Sequence, residues 1–321
     1  MKIVALEIKN IGEDVSVEQF KEFGEFETYL NSTPDQMPER CQGADVIIVN
    51  KLPVNEKTVG NIDTLKVVLI TATGYDNLDI PYLKSRGIAV CNVKGYSTDS
   101  VAQHTFALLF YVYEKLRAYD DFVKNGDYSK YELFTYFDEP FSELKGKVWG
   151  IVGLGNIGRA VAKIAQAFGC EVVYYSTSGR NSNNDYEQVD FETLLKISDI
   201  ISIHAPLNEK TKYLFNKDAF AKMKKSAVLI NVGRGPIIND RDLTDALKND
   251  VIAAAALDVL EKEPMTEDSP YFEIADSRKL FITPHIAWAT REARTRLMME
   301  TYYNLKAVVE NGEPRNRLDL M

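Results

Sequence analysis

The chain has 321 residues, 45% of them hydrophobic, which is enough to bury a substantial core and to form about two domains. Its 47 acidic and 38 basic residues leave a formal net charge of −9, so the surface lacks the positive field that binding to nucleic-acid phosphates requires. Cys41, Cys91 and Cys170 form no C-x-x-C pair, which argues against a disulfide framework or a thiolate zinc site.

Short β-rich runs separated by amphipathic sequence occupy the chain up to about Asn92. They read KIVALEI, ADVIIVN, LKVVLITAT and GIAVCNV. This alternation predicts a parallel α/β sheet. Between Ser97 and Lys124 the apolar residues recur at helical spacing, and we interpret this stretch as a connecting helix.

A second α/β series begins near Lys147. Its strand candidates read KVWGIV, EVVYYS, DIISIHA, SAVLINV, VIAAAALDV and LFITP. A last helix is predicted from about Thr290 to Asn311, and we expect it to pack on the beginning of the chain. The fold class is therefore α/β, with two parallel-sheet domains of the Rossmann-like or flavodoxin-like type.

A glycine motif, G-L-G-N-I-G at 153–158, follows the first strand of the second series and opens a helical run. In this context the first glycine permits a tight turn, the second lets the backbone approach a pyrophosphate, and the third allows close packing of helix on strand. We therefore expect a dinucleotide site. The residues predicted to contact it here are Gly153, Gly155, Asn156, Ile157 and Gly158.

The end of the next strand should decide between NAD(H) and NADP(H). An acidic side chain there would bind the adenine ribose, but this chain has Ser176, Ser178 and Arg180 instead. Hydroxyls and a cation can receive a 2′-phosphate without charge repulsion, which slightly favours NADP(H). The alternative is a solvated loop whose hydroxyls bond the ribose of NAD(H) while Arg180 points into water.

Three later segments follow strand candidates of the second series: N-V-G-R-G around Arg234, L-D-V with E-P up to Glu263, and T-P-H-I-A around His285. Ligands of open α/β sheets bind outside the carboxyl ends of the strands, so these side chains could converge. In their order and spacing after the glycine turn, the segments resemble those of the D-isomer-specific 2-hydroxyacid dehydrogenases. The resemblance covers nearly the whole chain.

Two runs of the first half, TGYDNLD from Thr73 and GYSTDSVAQ from Gly95, are similar to the glycerate dehydrogenase or hydroxypyruvate reductase branch of that family. The resemblance implies a discontinuous substrate domain of residues 1–99 and 286–321, a dinucleotide-binding Rossmann domain of residues 100–285, and an active-site cleft between them. It also implies reduction of a small 2-keto acid by hydride transfer.

The family's catalytic arginine, glutamate and histidine fall on Arg234, Glu263 and His285. A guanidinium can grip a substrate carboxylate or carbonyl through paired hydrogen bonds. A histidine can donate the proton that the developing alkoxide needs, and a neighbouring carboxylate favours its protonated form and fixes its ring.

The resemblance places further residues with less support from the sequence. Lys51, Thr73 and Gly74 are expected at the substrate, although an exposed loop lysine is an equal interpretation for Lys51. The remaining residues expected at the cofactor are His204, Ala205, Pro206, Val232, Gly233, Asp258 and Ala287. His104 is expected to pack within the connecting helix, and the histidine spacing does not support a metal site.

An aromatic loop containing Phe134 and Phe137 supports a homodimer. The family often has tryptophan at the second of these positions.

Glu7 comes too early for a signal-peptide core, and the longest apolar stretches fall short of the ~20 residues that cross a bilayer, so we expect a cytoplasmic protein. The alternative functions are a formate-specific relative, disfavoured because such relatives have glutamine in place of Glu263, and a dinucleotide-sensing corepressor with little turnover.

Overall fold

The computed structural model describes residues 1–179, 185–312, 314–318 and 320. The chain divides into two compact units, Met1–Ser97 with Ala289–Met321, and Thr98–Trp288. Each unit has its own parallel sheet. The predicted limits of the substrate and dinucleotide domains stay a prediction, because compactness alone does not assign a function to either unit.

The first unit contains five parallel strands among its described residues. They are β1 Lys2–Ala5, β2 Glu25–Thr28, β3 Val46–Val49, β4 Val67–Ile70 and β5 Ala89–Cys91. Their order in the sheet is β2-β1-β3-β4-β5, which is the flavodoxin-like order and has its topological switch point between β1 and β3. Three short helices connect these strands, α1 Met37–Arg40, α2 Glu56–Val59 and α3 Ile80–Ser85.

The sequence predicted four of these strands and missed β2. Its residues Glu25-Phe26-Glu27-Thr28 are half-buried or exposed, and the strand lies at the edge of the sheet. Strand patterns of this kind are weak because an edge strand packs few of its side chains.

The second unit contains seven parallel strands among its described residues. They are β6 Val148–Val152, β7 Glu171–Tyr175, β8 Glu187–Gln188, β9 Ile200–Ile203, β10 Val228–Asn231, β11 Ala254–Leu257 and β12 Leu280–Ile282. The order β8-β7-β6-β9-β10-β11-β12 is that of a Rossmann sheet, with the switch point between β6 and β9. Most central strands are buried along their length, as expected for strands covered on both faces.

Helices cover both faces of this sheet. They are α4 Thr98–Tyr113, α5 Leu116–Lys124, α6 Asn156–Ala167, α7 Phe191–Ile197, α8 Lys217–Phe220 and α9 Asp240–Lys248. The predicted connecting helix is two helices, because Lys115 adopts a left-handed conformation with φ +54° that ends α4 and caps α5. Phe106 of α4 packs on Trp149 of β6 with ring centroids 4.9 Å apart.

The last helix, α10 Arg291–Asn311, belongs to the first unit. The side chain of Thr290 accepts a hydrogen bond from the Ala293 N–H and so caps its first turn. Leu297, Met298 and Leu305 are buried on the side of α10 that packs on the first sheet. The predicted bounds of this helix therefore agree with the structure to within one residue.

Candidate active site

The carboxyl ends of the second unit's strands carry the predicted site residues. β6 ends before Gly153, β10 before the Arg234 turn and β12 before the His285 loop. These strands are parallel members of one sheet, so their ends lie along the same edge. The structure thus brings the glycine turn and the polar side chains of this unit to one side of the sheet, where open α/β sheets bind their ligands.

The glycine turn leaves no room for side chains at two of its three positions. Gly153 has φ +92°, and a Cβ atom there would lie 2.9 Å from the backbone of Ala205. A Cβ atom on Gly158 would overlap the carbonyl oxygen of Gly153. At Gly155, by contrast, a Cβ would meet nothing within 4 Å. The turn therefore presents open space directly before the unsatisfied N–H groups of α6, which suits a diphosphate.

The turn after β7 is only partly described. The buried hydroxyl of Ser176 accepts a hydrogen bond from the Gly179 N–H at 3.1 Å, which closes this turn on itself, and Ser178 is exposed. Arg180 lies outside the described residues. The preference for NADP(H) over NAD(H) therefore stays a prediction.

His204, directly after β9, is held as a neutral imidazole. The hydroxyl of Ser202 accepts from the indole N–H of Trp149 at 2.8 Å and lies 2.9 Å from the His204 Nε2 atom. The Ser202 hydroxyl can bond both side chains at once, because a hydroxyl has one donor and two acceptor sites. Burial lowers the pKa of His204 to about 3. His204 is therefore uncharged at neutral pH and unsuited to donate a catalytic proton.

Arg234 lies in a turn held by Asn231, the last residue of β10. The Asn231 side chain accepts from the Gly233 N–H at 3.0 Å and donates to the Arg234 carbonyl at 2.9 Å. The guanidinium of Arg234 donates to the Gly233 carbonyl at 2.9 Å. Asn231 is fully buried, so the side chain that holds this turn is itself anchored in the core. Asn231 was not predicted as a site residue because its role depends on the conformation of this turn, which the sequence does not give.

Glu263 and His285 are in direct side-chain contact at this edge. The Nδ1 atom of His285 lies 2.6 Å from Oε2 of Glu263, and Oε1 of Glu263 accepts from the Leu260 N–H at 2.9 Å. His285 adopts φ +56°, a conformation rare for residues other than glycine and common at functional sites. The two side chains keep 23% and 34% exposure, so solvent reaches both of them.

Asp258 organises the loop that carries His285. Its Oδ1 atom accepts from the Thr283 hydroxyl at 2.6 Å and from the Ile286 N–H at 2.8 Å, while Oδ2 accepts from the Ala287 N–H at 2.8 Å. Its backbone carbonyl accepts from the His285 N–H at 2.8 Å. Asp258 is almost completely buried, so these bonds form in a shielded environment where they are strong.

His104 of α4 joins the same network. Its Nε2 atom lies 3.0 Å from the Thr283 hydroxyl, which already donates to Asp258 and so accepts from His104. The structure thus gives His104 a contact with the His285 loop in addition to its predicted place in the helix. Nothing in the local sequence signals this contact, since 179 residues separate the two side chains.

In the first unit, Lys51 and Thr73 follow the adjacent strands β3 and β4. The buried carboxylate of Glu7 accepts the backbone N–H groups of Asn50, Lys51 and Leu52 at 2.7, 2.9 and 3.1 Å. The hydroxyl of Thr73 donates to the Val93 carbonyl at 2.8 Å, beside Gly74. Lys51 and Thr73 are exposed, and their predicted contact with substrate stays a prediction.

Within the residues that the structure describes, no cluster of three or more histidine, cysteine, aspartate or glutamate side chains could hold a metal ion. The helices of this same part of the chain are each too short or too polar to cross a bilayer.

Comparison with known proteins identifies the family. The family model for the NAD binding domain of D-isomer specific 2-hydroxyacid dehydrogenases matches residues 106–287. The chain therefore belongs to the D-isomer specific 2-hydroxyacid dehydrogenase family and is an oxidoreductase with an NAD-binding domain.

Individual relatives agree with this assignment. The chain is 35% identical to a glycerate dehydrogenase of Methylorubrum extorquens over 98% of both chains. It is 36% identical to a hydroxypyruvate reductase of Blautia hydrogenotrophica, covering 98% of this chain and 99% of that protein. Among solved structures, an acyclic imino acid reductase in complex with NADPH and D-Arg superposes with a TM-score of 0.87 at 31% identity, covering 99% and 100% of the two chains.

Proposed function

We propose that this chain reduces a small 2-keto acid of the hydroxypyruvate or glyoxylate type to the 2-hydroxy acid, with NADP(H) slightly preferred over NAD(H). The observation that carries the proposal is the 2.6 Å contact between Glu263 and His285 at the sheet edge that also bears the glycine turn. The relatives named glycerate dehydrogenase and hydroxypyruvate reductase support the choice of substrate.

The second unit fits a dinucleotide. The open space at Gly155 and the free N–H groups that begin α6 would hold the pyrophosphate. The other residues proposed to contact the cofactor are Gly153, Asn156, Ile157, Gly158, Ser176, Ser178, Arg180, His204, Ala205, Pro206, Val232, Gly233, Asp258 and Ala287. When bound, the nicotinamide supplies the hydride that the keto carbon accepts.

Arg234 binds the substrate in this proposal. Its guanidinium forms paired hydrogen bonds with the carboxylate or the keto oxygen, which fixes the keto carbon and polarises its carbonyl group. The Asn231 contacts hold the turn before the substrate arrives, so little ordering is needed at the time of binding. Lys51, Thr73 and Gly74 of the first unit are proposed to add contacts to the substrate.

His285 donates the proton. As the keto carbon is reduced, negative charge develops on its oxygen, and Nε2–H of the His285 imidazolium neutralises it. Glu263 accepts from Nδ1–H, which stabilises the imidazolium and leaves Nε2 as the donor toward the substrate. In the reverse direction the same Nε2 atom accepts the hydroxyl proton.

The proposal includes a homodimer in a reducing cytoplasm. Phe134, Phe137 and Phe141 expose 90%, 68% and 57% of their surface on the loop after α5, and exposed aromatic side chains are enriched at protein–protein interfaces. All three cysteines are buried, in keeping with thiols that do not need an oxidising compartment.

A second candidate is reduction of a carbon–nitrogen double bond, since the structurally similar imino acid reductase is 31% identical. The same arginine and histidine would serve this reaction, because an imine formed from a 2-keto acid and an amine keeps the carboxylate. Adding a primary amine to the assay separates the two reactions, since only the second forms a secondary amine.

The test is a turnover assay with hydroxypyruvate, glyoxylate and longer 2-keto acids, each with NADPH and with NADH. We expect turnover of the small acids and a kcat/KM modestly higher with NADPH. The variant Arg180→Ala should lower kcat/KM with NADPH and leave that with NADH unchanged. A strong preference for NADH would contradict the cofactor proposal, and cofactor binding without turnover of any acid would favour a dinucleotide sensor.

A further inference from the structure

A cluster of buried and half-buried polar side chains lies behind the Glu263 loop. Asp240, the first residue of α9, is 8% exposed and accepts from the hydroxyl of the fully buried Tyr271 at 2.9 Å. Its second oxygen accepts from the Glu261 N–H at 3.3 Å. The Glu261 carboxylate accepts a hydrogen bond from Tyr213. The mechanism above uses none of these four residues.

Two adjacent backbone N–H groups connect this cluster to the site. The Leu260 N–H donates to the Glu263 carboxylate at 2.9 Å, and the next N–H along the chain, that of Glu261, donates to Asp240. The two peptide groups meet at the Leu260 Cα atom, so a displacement of one is passed to the other unless rotation about φ and ψ of Leu260 absorbs it. The orientation of the Glu263 side chain therefore depends on where Asp240 holds the Glu261 peptide.

The same peptide also contacts the Arg234 turn. A Cβ atom on Gly235 would overlap the carbonyl group of Leu260, so the two loops pack backbone against backbone. Tyr213 adds a second connection, since its N–H donates to the Pro236 carbonyl at 2.8 Å while its hydroxyl reaches Glu261. The residues after β10 and the residues after β11 are thus held at a fixed separation.

We propose that Asp240, together with Tyr271 and Tyr213, is a positioning group that sets the Glu263 loop, and through it the orientation of His285. The inference rests on the proposed function only for its kinetic readout. Burying a carboxylate costs free energy, and a cluster kept for packing alone would be served by apolar side chains at no such cost. We therefore interpret Asp240 as a group whose burial lowers stability and whose hydrogen bonds fix the geometry of the site.

The first experiment does not depend on turnover. The chain has three histidines, so ¹⁵N labelling of histidine gives three pairs of ring resonances, and the His285→Asn variant assigns one pair to His285. We expect the His285 shifts at pH 7 to move in Asp240→Ala at least halfway toward their values in Glu263→Ala. The resonances of His104 and His204 should stay in place.

Two further variants show whether the effect of Asp240→Ala comes from misfolding or from a nonspecific change. Tyr213→Phe removes only a hydroxyl and should move the His285 resonances in the same direction by a smaller amount. Asp242→Ala is the matched control, because Asp242 lies on the same helix but its carboxylate accepts the Lys217 N–H at 2.9 Å, away from the Glu261 peptide. His285 resonances that coincide with the wild type in both Asp240→Ala and Tyr213→Phe would overturn the proposal.

The second experiment is a double-mutant cycle on kcat with hydroxypyruvate. Asp240→Ala should lower kcat about 10- to 100-fold, the range expected for a misplacement of about 1 Å, whereas Asp240→Asn should restore most of the rate. In a Glu263→Ala background the Asp240→Ala effect should shrink to about threefold or less. Equal effects in both backgrounds would assign Asp240 a purely structural role. If the wild-type chain does not reduce hydroxypyruvate but the His285 resonances move as expected, the proposed function fails and the positioning inference stands.

Discussion

Oδ2 of Asp258 accepts the backbone N–H of Ala287 at 2.8 Å, so the carboxylate that follows β11 determines the path of the chain just beyond His285. Oδ1 adds two further bonds to the same loop, and the carbonyl of Asp258 accepts the His285 N–H. The left-handed conformation of His285 is thus held from both sides of the residue.

Replacing this carboxylate by an amide should therefore disturb both stability and catalysis. In Asp258→Asn one acceptor oxygen becomes an NH₂ group that faces N–H donors, which should lower the free energy of unfolding by about 1–3 kcal/mol. We expect kcat to fall about 10- to 100-fold because His285 loses its position. Denaturant unfolding and steady-state kinetics measure the two effects, and Asp268→Asn, at an exposed position, is the control. A stable variant with normal kcat would show that the loop holds without this carboxylate.

The glycine turn predicts opposite outcomes for two alanine substitutions. Gly158→Ala would force a Cβ atom into the Gly153 carbonyl, so we expect a loss of about 1–3 kcal/mol in the free energy of unfolding. Gly155→Ala meets nothing within 4 Å and should leave this stability within about 0.5 kcal/mol, while it weakens cofactor binding about tenfold or more by filling the open space. Thermal unfolding and fluorescence titration with NADPH separate the effects. Unchanged cofactor affinity in Gly155→Ala would show that this turn does not bind the cofactor.

The burial of Asp240 predicts a specific dependence of stability on pH. Desolvation raises the pKa of its carboxyl group from 3.8 to about 6. Hydrogen bonds from the Tyr271 hydroxyl and the Glu261 N–H lower this pKa, and the charge of the Glu261 carboxylate raises it. Between these two values the folded chain binds more protons at this group than the unfolded chain. The stability contributed by Asp240 is therefore fully present below about pH 3.8 and is lost as the pH rises through about 6.

An amide at this position does not titrate, so Asp240→Asn should gain stability relative to wild type as the pH rises. From pH 4 to pH 6.5 the difference in the free energy of unfolding should change by about 2 kcal/mol in favour of the variant. Urea unfolding of both proteins at four pH values across this window measures the change. Parallel pH dependences for the two proteins would show that the Asp240 carboxyl titrates as it does in water.

The sequence predicted much of the fold because buried parallel strands leave a continuous apolar run. β3, β4, β9 and β10 are examples, and each is buried at every residue. The edge strands β2 and β8 have no such run, and β8 has only two residues. The break at Lys115 also escaped prediction, because lysine is a good helix former and the left-handed turn depends on tertiary packing.

The sequence also predicted only part of the candidate site. Arg234, Glu263 and His285 stand in local motifs, and their placement after strand ends follows from the sheet topology. Three of the groups that surround them were not predicted as site residues. Asn231, His104 and Asp240 act through hydrogen bonds whose geometry a sequence does not contain, and the partner of His104 is 179 residues away. Local patterns therefore predict the side chains that we propose to do chemistry, while the hydrogen bonds around them can be read only from the structure.

In the proposed mechanism the imidazole of His285, oriented by Glu263, supplies the proton for reduction. The most direct measurement is the single-turnover rate of NADPH oxidation by hydroxypyruvate in wild type and in His285→Ala, with cofactor binding checked separately in each. We expect a rate lowered about 100-fold or more in the variant, with the dissociation constant for NADPH nearly unchanged. A His285→Ala variant that reduces hydroxypyruvate within about threefold of the wild-type rate would contradict it.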